Sequence, residues 1–591
     1  MAHSPAPASW QSRPTAPAVE AAALTDGYSP LQARLTAGRL SAVPSLGVRG
    51  TIRPDPSALP HPRDLPDMAL AVDRIVRAIE ARETVVTLVD FDADGVAAGT
   101  VLRFALVDAF GVAPDLVLSM NCHRLKEGYG VTDRVVDRLA DLPVVPTLVI
   151  TADQGSTSGP QIERLQDELS CDCVVTDHHL LGPSGSPAAA VAVVNPVRPD
   201  SRFEDASIAG CMVAFLVMTQ VRVELVRRGH DLTGRPGLSR CLDILAMGTR
   251  ADCMDLGKSR LNRWAIQRGE AQIASAPRPF FQALAQTIPF PWDGQTLDFQ
   301  VNPRINAGGR LGDASRGVRG LCATTLEEAR PFVDQLHAAN DERKALLAGL
   351  IAESASHFEA QHQSGCLGLG RVFVNGHQGV NGLIATRVAE KYGSPTVCLS
   401  PTDSDANLLT GSIRTAGAIH AKEVLDQIAA AHPGVLAGHG GHAMAAGIRV
   451  YRDKGEFFIA LWDAAIQKMT GGNISPVPRY HDGSLGCQIT LQVLGEMDEL
   501  QPFGQGFPTP GFLDEFQLVR VRSMGDGTHL RLDLKAPTGE LVQGVWFGAK
   551  AQGSPMPLEH GLVRVVYELQ RNRWKGRETL QLMIRDAWQA C

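Results

Sequence analysis

Past Thr51, short runs of β-branched and apolar residues alternate with longer stretches of helical periodicity. "TVVTLVD" (84–90), "DLVLSM" (115–120), "TLVITAD" (147–153) and "CVVTD" (173–177) read as buried strands. Each is separated from the next by enough chain for a helical crossover, which predicts a parallel α/β sheet. "AGCMVAFLVMTQVRVELVRR" and "LSRCLDILAMG" read as helices, the second ending just before Asp252. From 325 to 363 the chain has few breakers after Pro331 and predicts long helical structure connecting two lobes. A second α/β pattern begins at "RVFVN" (371–375), continues through "PTVCLS" and reaches the Gly-rich "GHGGHAMAAG" (438–447). After a Pro/Gly-rich junction, "QPFGQGFPTPGF", about eighty residues of short alternating strands suit a five-stranded barrel such as an OB fold.

These breaks divide the chain into a disordered or partly helical tail (1–48), a first α/β domain (49–324), a connecting helix (325–367), a second α/β domain (368–472) and a terminal barrel (473–591). Length agrees, since 591 residues exceed what one core holds. The first twenty residues, rich in Pro, Ala and Ser, read as a disordered tail without the apolar core of a secretory signal. No apolar run approaches the ~20 residues of a membrane helix. The expectation is a cytoplasmic protein with no membrane partner. The eleven cysteines are scattered, lack zinc-ligand spacing and read as reduced, mostly buried thiols. A net charge of −7 argues mildly against a surface that tracks nucleic acid everywhere, yet leaves room for a basic groove.

The chemistry concentrates where strands end. Asp90, Asp92 and Asp94 occupy alternate positions directly after the first strand. Like charges so close resist joint ionisation, so the stretch is either a solvated turn or a cation site. Asp153 and Asp177 end two further strands, and in a parallel sheet these ends share one edge, where open α/β folds bind ligands. "TDHHL" adds His178 and His179, which alone could simply fill a helix start. A mixed Asp/His site suits Mn²⁺ or Mg²⁺ better than structural zinc, and two such ions are a common device for phosphodiester hydrolysis. "NPRINAGGRLGDA" contributes Arg304, Asn306 and Arg310 in an expected glycine-containing loop, and "GSIRTAG" contributes Ser412 and Arg414. Guanidiniums near a metal site are what a phosphate ligand requires. "RNRWKGRETLQL" interleaves Arg573 and Lys575 with Trp574, a pattern for stacking bases and pairing phosphates. The absence of a Walker-type phosphate loop argues against an ATPase.

Together these motifs resemble one family. "DFDADG", "TADQG", "TDHH" and "GTRAD" are similar, in order, to the acidic motifs of the DHH phosphoesterase superfamily, and "GSIRTAG" and "GHGGHAMAAG" to its DHH-associated second domain. "HRLKEGYGV", "NPRINAGGRLGDA", "LQPFGQGFPTPGF" and "RWKGRETLQL" narrow the resemblance to the RecJ family of single-strand-specific 5′→3′ DNA exonucleases. The resemblance implies a nuclease, acting in DNA repair and recombination, that threads single-stranded DNA between two lobes and uses Mn²⁺ or Mg²⁺, two ions in all. It implies Asp92, Asp94, Asp153, His178 and Asp252 as metal ligands, with Asp90, Asp177 and His179 beside them in the catalytic site. Arg124, Arg304, Asn306, Arg310, Ser412 and Arg414 would contact DNA, Gly440, Gly441 and His442 would shape a second wall, and the barrel would hold the incoming strand. A single-strand-binding protein and a RecQ-type helicase are the implied partners of a monomer. Three positions depart from the family pattern: Val89 in place of glycine, Gln154 in place of asparagine, and Arg250 in place of a small apolar residue. Two alternatives stand beside this reading. One is another DHH enzyme, an oligoribonuclease or cyclic-dinucleotide phosphodiesterase; the other is a catalytically inactive single-strand-binding replication scaffold.

Overall fold

The computed structural model describes residues 10–402, 405–415, 417, 419–536, 538–550, 554–574 and 577–590, the side chains of 573, 574 and 577 excepted. They form two compact units, one of residues 60–252 and 268–477, the other of residues up to 59, 253–267 and 478 onward.

The first unit is built on a parallel sheet in the order Val117–Asn121, Val85–Val89, Leu148–Ala152, Asp172–Thr176, Ala192–Val194. Val85–Val89, Leu148–Ala152 and most of Asp172–Thr176 are buried, hence their near-continuous apolar sequence. The fifth strand has only three residues, too few to stand out as a run in the sequence. Val85–Val89 pairs with the strand that follows it on one side and with Leu148–Ala152 on the other, so the strand order reverses beside it. That reversal places a crevice at the carboxyl ends of these two strands. Asp90–Asp94 and Asp153 begin there.

A 38-residue helix, Leu326–Gln363, joins this domain to the next. Pro331 lies in its second turn, where the missing N–H forfeits a single hydrogen bond near the helix start, and Thr325 caps the helix by accepting from the Glu328 amide. The second domain is a mixed sheet in the order Leu436–Gly441, Ala445–Tyr451, Asp405–Arg414, Thr396–Thr402, Leu369–Val372. Trp462, Phe458, Val397 and Leu399 are among its fully buried side chains. "GHGGHAMAAG" is the end of one strand, a turn and the start of the next.

The second unit holds a closed five-stranded barrel, Phe512–Met524, His529–Lys535, Leu541–Trp546, Gly561–Trp574 and Arg577–Gln589. Three of its strands run to 13 or 14 residues, longer than the short strands expected. The stretch that composition predicts as a disordered tail carries a strand, Trp10–Ser12, paired with Arg479–His481, and a helix, Pro17–Thr25. Arg13 and Arg39 both reach the buried carboxylate of Asp482, an anchor for this segment that composition cannot reveal. No helix among the described residues is long and apolar enough to cross a membrane. The described cysteines are free thiols, most of them buried.

Candidate metal centre and phosphate pocket

Asp92 caps the helix Ala93–Arg103: its Oδ1 accepts from the amides of Asp94, at 2.9 Å, and Gly95, at 3.0 Å. Asp94, in the first turn of that helix, accepts from the amides of Gly210, at 2.7 Å, and Cys211, at 3.2 Å, at the start of the helix Gly210–Arg227. The alternate spacing therefore sends one carboxylate back to its own helix and the next across to another. Glycine is needed where these elements touch. A Cβ on Gly95 would lie 2.5 Å from the Asp90 carbonyl oxygen, one on Gly210 2.6 Å from Asp153 Oδ1, and one on Gly248 2.8 Å from Asp94 Oδ1.

Three overlapping groups result: Asp90, Asp92 and Asp153; Asp153, His178 and His179; Asp94, His178 and Asp252. Within each, ligand atoms lie within 4.8 Å of one another. The structure thus gathers seven of the eight expected site residues into one constellation. His178 Nε2 stands 3.1 Å from Asp153 Oδ1 and 3.5 Å from Asp252 Oδ2. Asp252 follows the last residue of the helix Leu242–Ala251.

Asp177 plays a different part. Its carboxylate accepts from the amides of Ser156, His178 and His179 and from His179 Nδ1, so it organises the histidine loop. No helix begins at the paired histidines; the loop around them is fixed by Asp177 and by Asn195, whose side chain donates to the His179 carbonyl.

The electrostatics show what the site favours. Burial, and then the neighbouring carboxylates, push the pKa values of Asp90, Asp153 and Asp252 well up, and that of Asp94 to about 6. Asp90 Oδ1 is buried with no hydrogen-bond partner among the described residues. Burial and the charge of His179 lower the His178 pKa to about 4, leaving a neutral imidazole, the form that ligates metals. Burial works against charge on His179 too, but its hydrogen bond to Asp177 raises its pKa to about 9. An oxygen-rich set with an orphaned carboxylate oxygen and a neutral imidazole fits hard divalent cations of the Mn²⁺ and Mg²⁺ kind.

Beside the acids stands an array of guanidiniums. Arg124 lies over the Phe91 ring, 4.9 Å from its centroid, with Asp90 and Asp92 as the opposite charges it feels. Arg310 donates to the Gly379 carbonyl at 3.0 Å; burial and then Arg124, Arg343 and Arg414 bring its pKa down to about 9. Arg414 ends a strand beneath the start of the helix Asn381–Tyr392, where a Cβ on Gly382 would lie 3.0 Å from Arg414 Nη2 and 3.5 Å from Ser412 Oγ. Guanidiniums, a hydroxyl and a helix N-terminus form a phosphate-binding arrangement.

The segment of Arg304, Asn306 and Arg310 is a helix, Asn302–Leu311, not the glycine loop expected. Pro303 sits in its first turn, and Gly309 is there for contact, since a Cβ would stand 2.1 Å from the Phe91 carbonyl oxygen. Asn306, expected at DNA, accepts from the Ala93 amide at 2.8 Å and so fixes the acidic loop. Arg304 is turned to His337 Nδ1, at 2.9 Å, and to the Gln300 carbonyl, aside from the acids. Gly441 has φ +138, as its turn requires, whereas Gly440 faces open space and His442 is near enough to depress the His178 pKa. Arg573, Trp574 and Lys575 lie outside the residues whose side chains are described.

Arg343, on the long helix, is missing from the sequence reading. It hydrogen-bonds Asn340 Oδ1 and lies close enough to Arg310, Arg304 and Arg387 for their charges to repel. An arginine in a long charged helix carries no sequence signal of its own; its proximity to "NPRINAGGRLGDA" is purely tertiary.

Each departure has a local cause. Val89 has the room it needs because position 99, facing it, is glycine: a Cβ there would lie 2.9 Å from a Val89 methyl. Gln154 is fully buried, donates to the Leu88 carbonyl at 3.2 Å and accepts from the Cys122 thiol at 3.1 Å. Arg250 makes a forked pair with Asp298, at 2.9 and 2.8 Å, and its Nη1 lies 3.3 Å from Glu270 Oε1. None of the three displaces a member of the cluster.

A parallel sheet carrying these acids at its switch point defines a protein of the DHH class. Residues 84–249 match the DHH family, N-terminal domain; residues 369–468 match the DHHA1 domain, and residues 484–586 the RecJ OB domain. The single-stranded-DNA-specific exonuclease RecJ of Escherichia coli K12 is 31% identical over 534 residues, covering 88% of this chain and 89% of its own. That of Thermus thermophilus is 27% identical over 505 residues, covering 84% and 67%. The chain belongs to the RecJ family. The crystal structure of Thermus thermophilus RecJ in complex with Mn²⁺ superposes with a TM-score of 0.77 at 24% identity, over 98% of this chain and 79% of that one. A second solved structure, of exonuclease RecJ bound to manganese, has a TM-score of 0.55 at 27% identity, over 68% and 95%.

Proposed function

We propose that this chain is a metal-dependent exonuclease that degrades single-stranded DNA from its 5′ end, working in the cytoplasm in repair and recombination. One observation carries the reading: Arg124, which faces Asp90 and Asp92, stands near Arg310 and Arg414, and buried Arg310 feels the repulsion of Arg124, Arg343 and Arg414 as well as the charge of Asp92. Such repulsion is tolerable where a polyanion is the intended occupant.

In this reading Asp92, Asp94, Asp153, His178 and Asp252 hold two divalent ions, Mn²⁺ or Mg²⁺, with Asp90 and His179 at their margin. When bound, the ions would neutralise the carboxylates, polarise the scissile phosphate and activate water. The protein's own groups do the rest. Arg124, Arg310, Ser412 and Arg414 seat a phosphate of the strand, and Arg343 continues their positive charge along the long helix. Asp177 holds a proton on His179 Nδ1, leaving Nε2 as the ring nitrogen able to pass a proton to the departing oxygen. Gly440 and His442 form the opposite wall, and the barrel, through Arg573, Trp574 and Lys575, contributes further strand binding. A single-strand-binding protein and a RecQ-type helicase would supply the substrate.

The test is a time course on single-stranded DNA labelled at its 3′ end, with Mn²⁺, Mg²⁺ or chelator. Metal-dependent shortening from the 5′ end, absent on blunt duplex, is the expected result. Tight binding without cleavage in either metal would instead make the chain a binding scaffold.

A further inference from the structure

We propose that Tyr129 is a positioning residue for the metal centre, setting the orientation of His179 and the backbone of Asp153. The proposal rests on the two-ion reading above. Tyr129 comes from "HRLKEGYGV", in the loop that follows the strand Val117–Asn121. His179 and Asp153 come from beyond the ends of Asp172–Thr176 and Leu148–Ala152, on the other side of the strand Val85–Val89.

The tyrosine hydroxyl stands 2.9 Å from His179 Nδ1 and donates to the Asp153 carbonyl oxygen at 3.3 Å. His179 Nδ1 is also 2.9 Å from Asp177 Oδ1, so its hydrogen is shared between the carboxylate and the phenol oxygen. A hydroxyl can accept from the imidazole and donate to the carbonyl at once, which a phenylalanine ring at this position could not. The rings meet edge to face with centroids 5.3 Å apart, which restricts rotation of the imidazole.

Two backbone features fix the tyrosine in this place. Gly128 and Gly130, on either side, have φ of +88 and +87, a conformation that costs little only for glycine and that turns Tyr129 toward the acids. Asp153 itself has φ +62, where a residue with a Cβ is held by its surroundings at some cost. A donor on its carbonyl is part of what holds it. Asp153 belongs to two of the three candidate ligand groups, so a small rotation there would disturb both.

The experiment compares Mn²⁺ binding to the full-length wild type and Tyr129→Phe without DNA, following free Mn²⁺ by electron paramagnetic resonance. Removing a partner that orients metal ligands costs on the order of 10- to 100-fold in affinity, so the variant should bind Mn²⁺ at least about tenfold more weakly. In turnover, kcat should fall by a similar factor while KM for a single strand holds. Affinity for single-stranded DNA in chelator should match wild type, because the phosphate pocket does not use Tyr129. Equal Mn²⁺ affinity in the two proteins would overturn the proposal. So would parallel loss of metal-free DNA binding, which would mark a general structural role. If the wild type binds no Mn²⁺, the two-ion reading fails first and Tyr129's role falls with it.

Discussion

Arg310→Met should make the protein more stable and a poorer binder of DNA. The side chain is only partly exposed, it donates to the Gly379 carbonyl, and burial together with three other guanidiniums lowers its pKa to about 9. Arginine stays protonated in proteins, so the unfavourable free energy appears as repulsion in the empty pocket rather than as loss of the proton. The fall to about 9 from arginine's ordinary value, at about 1.4 kcal/mol per pH unit, corresponds to roughly 5 kcal/mol. Solvent reaching a partly exposed group, and loss of the Gly379 hydrogen bond in the variant, reduce the expected gain to about 2 kcal/mol. Methionine preserves much of the stem's packing without charge. The assay is the urea midpoint of the transition that includes this domain, read with and without inorganic phosphate. The variant's midpoint should rise without phosphate, and phosphate should stabilise the wild type more than the variant by mass action. Affinity for a single strand should drop by about 10- to 100-fold, the value of one charge-assisted hydrogen bond to phosphate, with a shallower salt dependence. A variant that is less stable and binds DNA as tightly as wild type would refute the reasoning.

Asp92→Asn separates the chemistry of that residue from its structural task. The amide oxygen can still cap Ala93–Arg103, so stability should change by less than about 0.5 kcal/mol while turnover falls at least about a hundredfold. A lowered melting temperature with turnover retained would contradict this. Arg250→Leu leaves Asp298 and Glu270 without their cation and should cost about 3 kcal/mol at pH 8. Burial, opposed by Arg250, raises the folded pKa of Glu270 to about 7, above its unfolded value. Its contribution to stability is therefore full below about pH 4.5 and lost as pH rises toward 7. With Arg250 gone, both carboxyls rise further, so the deficit should be clearly smaller at pH 5 than at pH 8; equal deficits in urea melts would exclude this ion-pair account.

The sheet and the acidic edge were legible because their signals are local. An apolar strand ending in aspartate needs no tertiary information, and topology then brings Asp90, Asp153 and the histidine loop to one edge. The glycines of "NPRINAGGRLGDA" misled because glycine is ambiguous: Gly309 serves close packing against Phe91 inside a helix, where a turn is the commoner use. Asn306 and Asp177 look like ligand or substrate groups in sequence, yet each satisfies backbone amides of a loop. Arg343, Tyr129 and the Arg250 ion pairs depend on partners far away in the chain, and no spacing rule announces them. The segment near Pro17 reads as a tail by composition, but its arginines find Asp482, more than 440 residues away, and that pairing outweighs local propensity.

One cluster of aspartates and histidines, in this account, holds the ions that cleave the strand. The most direct measurement is anomalous diffraction at the manganese edge from crystals of the wild type soaked in Mn²⁺. The account predicts two peaks, one between Asp92 and Asp153 and one among Asp94, His178 and Asp252, with loss of occupancy in Asp153→Asn. Peaks elsewhere, or none in a protein that still shortens single-stranded DNA in Mn²⁺, would contradict it.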